Sequence, residues 1–578
     1  MRIFLLLLSL AATPVWGCGK SGSDAPGPDA ASPYDAATTS DAIVDATADA
    51  TADASAASSP DSPTGAPEAS VSDDSSRASP TGGDSTLPAP ITGSASVLQH
   101  HKNATRDGVY ADPALTKAVA ATLKLDATFA GLVTGDVYAQ PLYVEQGPQG
   151  QEAFVVVTER NHVTALSTTG AVVWDTTEAT VGAPVSGSPW PLGSCGNIKP
   201  LGITGTPVID LASRTIYVAA MRMTSAGALA HFAFALSLDD GSLKSGWPVD
   251  ISAAVPGFAA PQQNQRGALQ LVRGTLYIPY GGHIGDCPPY HGWVVGIPVL
   301  DPAHAKGWST GSIGMAGAGR GGIWAPGGLA SDGTSVYVST GNTSLDNIGG
   351  FNSPAQWSGG EAVFKLGPGP VLANPATDEF YPSNWAFLDR TDADLGGSNP
   401  VLFDLPGSAV TRLAVALGKD GNLYLLNRDS LGGKGGQLSV SPVSTGEIIG
   451  APAVYTTSKG TYVAFRGVGR GCPAGTGSGN LTVAKITAGS PPAASVVWCA
   501  NAGNLGSPMV TLTGSGEAIV WSASARLYGY DGDTGTPVYA GGAASDALPT
   551  PMHYFNTPID ANGRIVVAAG QRVYVFKP

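Results

Sequence analysis

The feature that most constrains the fold is a proline-marked strand start that recurs along the chain. A small or polar residue precedes each proline, and successive starts lie about 50 to 75 residues apart. Proline costs no ladder hydrogen bond at the first residue of a strand, so it can mark such a start. The starts are Gln140-Pro141, Thr206-Pro207, Ala325-Pro326, Asn399-Pro400, Ala451-Pro452, Ser507-Pro508 and Thr557-Pro558, with a degenerate copy near Gly267-Ala268.

The clearest repeat unit runs from Gly205 to Trp247. It contains four short segments with apolar residues at every second position, separated by tight turns such as Asp239-Asp240-Gly241. Four antiparallel strands of this kind form one propeller blade, which cannot bury both of its faces alone. We therefore predict an all-β fold with a single eight-bladed β-propeller. Seven blades is the alternative if the degenerate copy is only a long loop.

The two chain ends are expected to close the ring together. The last proline-marked start leaves room for only three strands before Pro578. A fourth strand from Lys124 to Leu132 would complete this blade and join the end of the chain to its beginning.

Composition supports this fold class and excludes one kind of partner. The chain of 578 residues contains 78 Gly and 45 Pro, as expected for a turn-rich β protein. Most of the net charge of −14 comes from acidic residues in 19–95, and the rest of the chain has no long Lys/Arg run. A nucleic-acid partner is therefore not expected, and we expect a monomer.

Residues 1–18 are predicted to be a lipoprotein signal peptide. Arg2 precedes the apolar run from Ile3 to Ala12, which is too short to span a membrane. Val15-Trp16-Gly17-Cys18 resembles a bacterial lipobox, although Trp16 stands where a small residue is usual; the alternative is an ordinary signal peptide with a stray cysteine. This predicts an exported protein anchored to the bacterial outer membrane through lipid on Cys18, facing the periplasm or the surface.

Residues 19–95 are predicted to be a disordered Ala/Ser/Asp/Pro-rich linker before the propeller domain, 96–578. The linker has few large apolar residues, so it cannot offset the entropy of ordering. Its aspartates at 41, 45, 49 and 53 would place like charges together on a helix.

Four cysteines besides Cys18 fit an oxidising compartment, and four cysteines allow three pairings. Cys472 and Cys499 are expected to flank the strands of one blade, which favours that pair and leaves Cys195 with Cys287. Free structural thiols are the alternative.

The densest group of functional residue types lies in the loop 281–293. We predict a polar and aromatic pocket there, because loops on one face of a propeller commonly carry its sites. A packed inter-blade loop held by a disulfide is the alternative, and no metal is assigned because His283, Asp286 and His291 lack a third nearby histidine. The candidate residues are His283, Asp286, Tyr290, His291 and Trp293.

Two further segments precede blade starts and could reach the central channel. They supply Asn264, Gln265 and Arg266, and then Arg320 and Trp324. A guanidinium in the channel would suit a carboxylate ligand, and a Trp face would suit a flat ring. An inter-blade hydrogen-bonding role for the arginines is the alternative. Lys419 is interpreted mainly as part of a hairpin turn, 418–421.

Several segments resemble the bacterial PQQ-like (pyrroloquinoline-quinone-like) propeller repeat proteins, of the quinoprotein alcohol dehydrogenase-like superfamily, in a lipoprotein form. The resemblance covers nearly all of 96–578 and implies the propeller fold. Its segments are GDVYAQPLYV at 135–144, GITGTPVID at 202–210, NQR at 264–266, YHGW at 290–293, LLNRD at 425–429, VLQH at 97–100 and RDG at 106–108.

This superfamily contains both dehydrogenases and non-catalytic assembly lipoproteins. The dehydrogenases resemble one another in adjacent-Cys disulfides, a Trp floor, calcium ligated by Glu and Asn, and an Asp base. The present sequence has no Cys-Cys pair, no Asp that matches the base, and a blade-end Trp only at Trp174, Trp247 and Trp498.

The resemblance therefore implies two alternative functions. The first is a cell-envelope lipoprotein that binds a ligand or protein partner on one propeller face without catalysis, its cofactor being unknown. The alternative is a quinoprotein-type oxidoreductase, similar to alcohol or sugar dehydrogenases, with PQQ and calcium in the channel. In that case Arg266 or Arg320 would hold the carboxylates of the quinone, and Trp324 would lie beneath its ring.

Overall fold

The computed structural model describes residues 94–188, 190–284, 290–311, 320–343, 357–477, 479–503 and 506–578. Within these ranges the strands form eight sheets of four or five strands each. This confirms the predicted all-β, eight-bladed propeller. The degenerate start near Gly267-Ala268 precedes a true inner strand, Gln270–Val272, so the seven-bladed alternative is excluded. The predicted signal peptide, Cys18 and nearly all of the predicted linker lie outside the described residues.

Each blade is an antiparallel meander, and the first strands of neighbouring blades lie side by side around the channel. Blade 1 contains Leu142–Val144, Ala153–Val157, Val163–Ser167 and Val172–Asp175, and blade 2 contains Val208–Asp210, Thr215–Met223, Leu229–Ser237 and Val249–Asp250. Blade 3 contains Gln270–Val272, Thr275–Gly282, Trp293–Pro298 and Lys306–Ser309, with Gln263–Asn264 as an additional strand. Blade 4 contains Ala330–Ser331, Val336–Ser339, Val363–Leu366 and Glu379–Tyr381, with Gly433–Lys434 as an additional strand.

The second half of the ring repeats this arrangement. Blade 5 contains Val401–Asp404, Arg412–Leu417, Asn422–Asn427 and Ser439–Pro442, and blade 6 contains Ala453–Thr457, Gly460–Arg466, Leu481–Thr487 and Ala493–Ala500. Blade 7 contains Met509–Leu512, Ala518–Ala523, Leu527–Asp531 and Pro537–Ala540. Blade 8 contains Ile559–Asp560, Ile565–Ala569, Arg572–Lys577 and Lys124–Leu125.

Blade 8 closes the ring in the way that the sequence predicts. Lys124–Leu125 pairs antiparallel with the last strand of the chain, with Lys124 opposite Lys577 and Leu125 opposite Phe576. Leu132 forms a further bridge to Arg572. The outermost strand of this blade therefore comes from the beginning of the propeller domain.

The apolar cores lie between neighbouring blades. The second strand of blade 1, Ala153–Val157, is buried along its whole length, because adjacent blades cover both faces of each sheet. One cluster joins blades 2 and 3, and another joins blades 5 and 6. The ring is therefore held together by blade-to-blade packing. Because all the blades have the same strand direction, the loops that precede the inner strands lie at the same end of the channel.

Residues 97–111, which we call the hub segment, run along the inner strands of the ring. Its backbone bonds to blade after blade, so it satisfies backbone groups along the inner strands that would otherwise lack a partner. Val97 bridges to Tyr143 of blade 1, and Val109–Ala111 runs parallel to the first strand of blade 7. The carbonyls of Leu98, Ala104, Thr105, Asp107 and Gly108 accept hydrogen bonds from the amides of Ile209, Ser331, Leu402, Val454 and Val510.

Arg106 is the most heavily bonded side chain of the hub segment. It is completely buried and donates to the carbonyls of Leu269 (2.7 Å), His100 (2.8 Å) and Gly327 (3.0 Å), and to Gln99 Oε1 (3.1 Å). Burial lowers its pKa to about 9, which leaves the guanidinium charged at neutral pH. A single side chain thus links the hub to blades 3 and 4.

Two blade-end tryptophans and a disulfide complete the framework. Trp174 donates to the carbonyl of Leu238 in the next blade (3.1 Å), and Trp498 donates to that of Gly532 (2.9 Å). The predicted pair Cys472–Cys499 is confirmed. Cys195 is also disulfide-bonded, but Cys287, its predicted partner, lies outside the described residues.

The helices are short and connect the strands. No helix in the described ranges is long and apolar enough to cross a membrane. The α-helices are Lys117–Ala120, Glu178–Val181, Ile251–Ala254, Pro375–Asp378 and Trp385–Arg390, and the 3-10 helices are Pro148–Gly150, Ala260–Gln262, Pro302–His304, Leu395–Gly397 and Ala544–Asp546.

Candidate functional site

Four side chains from different blades meet at the open end of the channel, and we call them the mouth cluster: Arg266, Trp324, Lys419 and Phe555. Three of them come shortly before an inner strand, of blades 3, 4 and 8. Lys419 lies in the turn between the second and third strands of blade 5, which points to the same end. The cluster exists because the ring brings these four loops together.

Arg266 is the centre of the mouth cluster. Its Nε donates to the carbonyl of Trp324 (2.9 Å), and its guanidinium carbon lies 5.2 Å from the centroid of the Trp324 ring and 4.4 Å from that of Phe555. Burial lowers its pKa to about 10, so it remains charged at neutral pH. No carboxylate among the described residues forms an ion pair with it. Arg266 is therefore a partly buried cation in contact with two aromatic rings, suited to an anion.

Lys419 is the second cation of the mouth, and its charge is already neutralised. Its ammonium lies 2.6 Å from Asp394 and 3.1 Å from Asp392, and 5.5 Å from the Trp324 ring centroid. Burial alone would lower the pKa of Lys419, but the two carboxylates outweigh it and raise the pKa. The hairpin predicted at 418–421 is confirmed. The same turn places Lys419 beside Trp324, a position that its sequence alone does not reveal.

Beneath Lys419 lies a buried acid, Glu361. Its Oε2 accepts a hydrogen bond from the amide of Leu395 (2.6 Å), and the residue is completely buried. Burial, followed by the neighbouring charge of Asp394, raises the pKa of Glu361 well above its usual value. Glu361 therefore favours its neutral form more strongly than an exposed glutamate does.

The loop before the last blade crosses the channel mouth. His553 stacks on Tyr138 with ring centroids 4.0 Å apart, and Tyr554 lies 3.7 Å from the guanidinium of Arg466 in blade 6. Phe555 belongs to the loop that enters blade 8, yet its ring reaches Trp324, which enters blade 4 on the opposite side of the ring, with centroids 6.4 Å apart. This loop was not among the residues predicted for the site.

The residues predicted for the site fall into two groups. Arg266 and Trp324 meet at the mouth. Their sequence neighbour Gln265 is buried and donates to the carbonyl of Gly267 (2.6 Å), while Asn264 lies in a two-residue strand opposite Gly281. Gln265 and Asn264 thus support the loop that carries Arg266.

The second group packs the loops of blades 3 and 4. Arg320 is 1% exposed, with its guanidinium 5.9 Å from the Tyr290 ring, so it lies in the wall and not in the mouth cluster. His291 Nδ1 lies 3.0 Å from the carbonyl oxygen of Thr310. The ring of Trp293 packs against that of Phe258, with centroids 5.8 Å apart. Burial lowers the pKa of His283 to about 4, so it is neutral at pH 7. A ligand-binding role for this group stays a prediction, and Asp286 lies outside the described residues.

The metal-binding potential of the described residues bears on the quinoprotein alternative. No group of three or more His, Cys, Asp or Glu side chains within them is arranged to hold a metal ion. Asp394, beside Trp324, already pairs with the ammonium of Lys419. A planar carboxylate-bearing group is different, because Arg266 and two aromatic rings offer it both charge and faces.

Comparison with known proteins shows the fold. No family model and no curated protein matches the chain. Among the similar solved structures is the quinohemoprotein alcohol dehydrogenase from Comamonas testosteroni, with 15% identity and a TM-score of 0.55 over 83% of this chain and 80% of that one. The quinohemoprotein alcohol dehydrogenase from Pseudomonas putida HK5 has 14% identity and a TM-score of 0.56 over 84% of this chain and 80% of that one. A europium-containing methanol dehydrogenase has 15% identity and a TM-score of 0.54 over 82% of this chain and 90% of that one. The chain therefore has a propeller fold similar to that of these dehydrogenases.

Proposed function

We propose that this protein is a non-catalytic binding protein of the cell envelope, and that its propeller binds a planar, carboxylate-bearing ligand at the channel mouth. The observation that carries the proposal is Arg266, a partly buried guanidinium that contacts the rings of Trp324 and Phe555 without an ion-pair partner among the described residues. A guanidinium recognises a carboxylate through two parallel hydrogen bonds. The neighbouring rings favour a flat ligand.

The proposal includes export and a lipid anchor on Cys18, which rest on the sequence of residues 1–18. An anchored binding protein could hold either a small molecule or a carboxylate-rich segment of an envelope protein at its mouth. Fatty-acid labelling of the wild-type protein, compared with Cys18→Ala, tests the anchor; equal labelling of the two would contradict it.

We expect the wild-type protein to bind 1,3,5-benzenetricarboxylate, a planar anion, more tightly than its neutral analogue 1,3,5-benzenetrimethanol in isothermal titration calorimetry. Arg266→Ala should weaken binding of the tricarboxylate about 10- to 100-fold, since a hydrogen bond to a charged group contributes about 1.5–3 kcal/mol. Arg266→Lys should recover only part of the loss, because an ammonium lacks the planar fork.

The matched control is Arg214→Ala, which removes an arginine in the turn between the first two strands of blade 2, away from the mouth cluster, where it is ion-paired with Asp239. This variant should bind as the wild type does. Equal affinity for the tricarboxylate in the wild type and Arg266→Ala would overturn the assignment of the site, as would failure of the wild type to bind any carboxylate probe.

A quinoprotein-type oxidoreductase is the second candidate function. Trp324 and Arg266, the two side chains that the family resemblance associates with a quinone, do lie side by side. No three His, Cys, Asp or Glu side chains among the described residues form a metal-binding group, however, which leaves the calcium of this alternative unassigned. PQQ is itself a planar tricarboxylate. The proposed function therefore predicts that PQQ binds equally with and without calcium and that no artificial electron acceptor is reduced in the presence of alcohols or sugars. Calcium-dependent binding together with dye reduction would favour the oxidoreductase.

A further inference from the structure

Phe555 has a backbone conformation that is unusual for its residue type. Its φ is +80°, in the left-handed region that side chains with a Cβ rarely adopt. The residues on either side of it are fixed. His553 stacks on Tyr138, and Asn556, which is completely buried, donates to the carbonyls of Ala568 (3.2 Å) and Val137 (3.3 Å). Tertiary contacts thus hold the loop and impose the strained position on Phe555.

The position of the Phe555 ring is the one that an aromatic ligand would need. The ring presents its face to the Arg266 guanidinium at 4.4 Å and meets the Trp324 ring in an edge-on geometry, with an interplanar angle of 65°. Cation–π attraction and edge-to-face packing are the contacts by which such a site would hold a ligand ring. The hydrogen bond from Arg266 Nε to the Trp324 carbonyl leaves the terminal nitrogens of the fork available for an anion.

Resting on the proposed function, we infer that Phe555 occupies the aromatic subsite of the mouth, and that the ligand is an aromatic carboxylate whose ring replaces the Phe555 ring beside Arg266 and Trp324. The carboxylate of the ligand then meets the guanidinium, which Phe555 cannot neutralise. Phe555 is a specificity-determining residue in this arrangement. A ligand must carry an aromatic ring to replace the packing of the Phe555 ring, and it must carry a negative charge to form an ion pair with Arg266.

Exposed surroundings make this exchange feasible. Phe555 is only partly buried, and its neighbour Tyr554 is 36% exposed and reaches Arg466. A ring that leaves the mouth can therefore turn toward solvent without disturbing a core. The affinity measured for the wild type is reduced by the fraction of molecules in which Phe555 fills the subsite.

The test is the affinity of Phe555→Ala for 1,3,5-benzenetricarboxylate and for the aliphatic tricarballylate, by calorimetry on the full propeller domain. We expect Phe555→Ala to bind the aromatic probe about tenfold more tightly than the wild type, as follows if the ring fills the subsite in about nine molecules of ten. Tricarballylate should gain little. The control is Arg214→Ala, which removes an arginine whose partners, Asp239, Gln146 and Gly147, lie outside the mouth cluster, so its affinity should equal that of the wild type.

The outcomes separate the two proposals. If the wild type binds the aromatic probe in an Arg266-dependent way, but Phe555→Ala binds it equally or more weakly, the inference is overturned and Phe555 is a wall of the site. If neither protein binds either probe, the proposed function fails. A gain in Phe555→Ala that persists in the Arg266→Ala background would show non-specific stacking and would also overturn the inference. Unchanged thermal unfolding confirms that each variant is folded.

Discussion

Replacing Arg106 with alanine should lower the free energy of unfolding by about 3–5 kcal/mol, because it leaves a set of buried acceptors without a donor. Four hydrogen bonds from this guanidinium join the hub segment to itself and to the carbonyls of Leu269 and Gly327. The side chain is completely buried, so water cannot replace it without opening the hub. Chemical denaturation of the propeller domain, followed by tryptophan fluorescence, measures the loss.

The control for this prediction is Arg214→Ala, which removes a partly exposed arginine that pairs with Asp239 and donates to the carbonyls of Gln146 and Gly147. Its cost should be at most about 1 kcal/mol. Arg106→Lys should lie between the two, since an ammonium keeps the charge but cannot reach all four acceptors. A cost for Arg106→Ala no larger than that for Arg214→Ala would show that the hub segment does not hold the blades together.

Trp498→Ala should destabilise the protein by about 3–5 kcal/mol, the usual range for a fully buried tryptophan. The Trp498 ring is completely buried against Gly535, where a Cβ would lie 2.7 Å from it, and its Nε1 donates to Gly532 of the next blade. Its loss would leave a cavity between blades 6 and 7 and an unpaired carbonyl.

Trp174→Ala is the matched comparison. Trp174 makes the same kind of contact, with its ring near Gly241 and its Nε1 bonded to the carbonyl of Leu238, but it is partly exposed. We expect roughly half the cost, because the native protein removes less of the apolar area of Trp174 from water. Equal denaturation midpoints for the two variants would mean that burial at the blade junction does not determine stability here.

The blades could be predicted from the sequence because each is a local pattern. Alternating apolar residues, a proline at the strand start and a Gly-containing turn all lie within about 50 to 75 residues of one another. The ring closure could be predicted as well, because the sequence after the last strand start has room for only three of the four strands of a blade. Lys124–Leu125 supplies the fourth strand. The degenerate start near Gly267-Ala268 was recognised by its spacing alone.

The hub segment could not be predicted, because its contacts lack any local signature. It is short and has neither helical nor strand periodicity, and its partners lie up to about 400 residues away in the chain. Only the assembled ring places their backbone groups around it. The resemblance did include residues 97–100 and 106–108, which are now seen at the centre of the ring, but it assigned them no role.

The mouth cluster was predicted in part. Arg266 and Trp324 were candidates because both precede blade starts, and the ring brings them together. The sequence could not separate them from Arg320, which has the same kind of position but is buried in the wall. Lys419 and Phe555 lie in turns and loops whose direction depends on tertiary packing. A phenylalanine next to a tyrosine just before a blade start is the signal that could have identified Phe555.

The crystal structure of the propeller domain with 1,3,5-benzenetricarboxylate tests the central claim most directly, because it locates the ligand and Phe555 together. The account predicts one tricarboxylate ring beside Trp324, one of its carboxylates on the Arg266 guanidinium, and the Phe555 side chain turned toward solvent. A structure in which Phe555 keeps its place beside Arg266 and Trp324, and the ligand binds elsewhere or not at all, would contradict it.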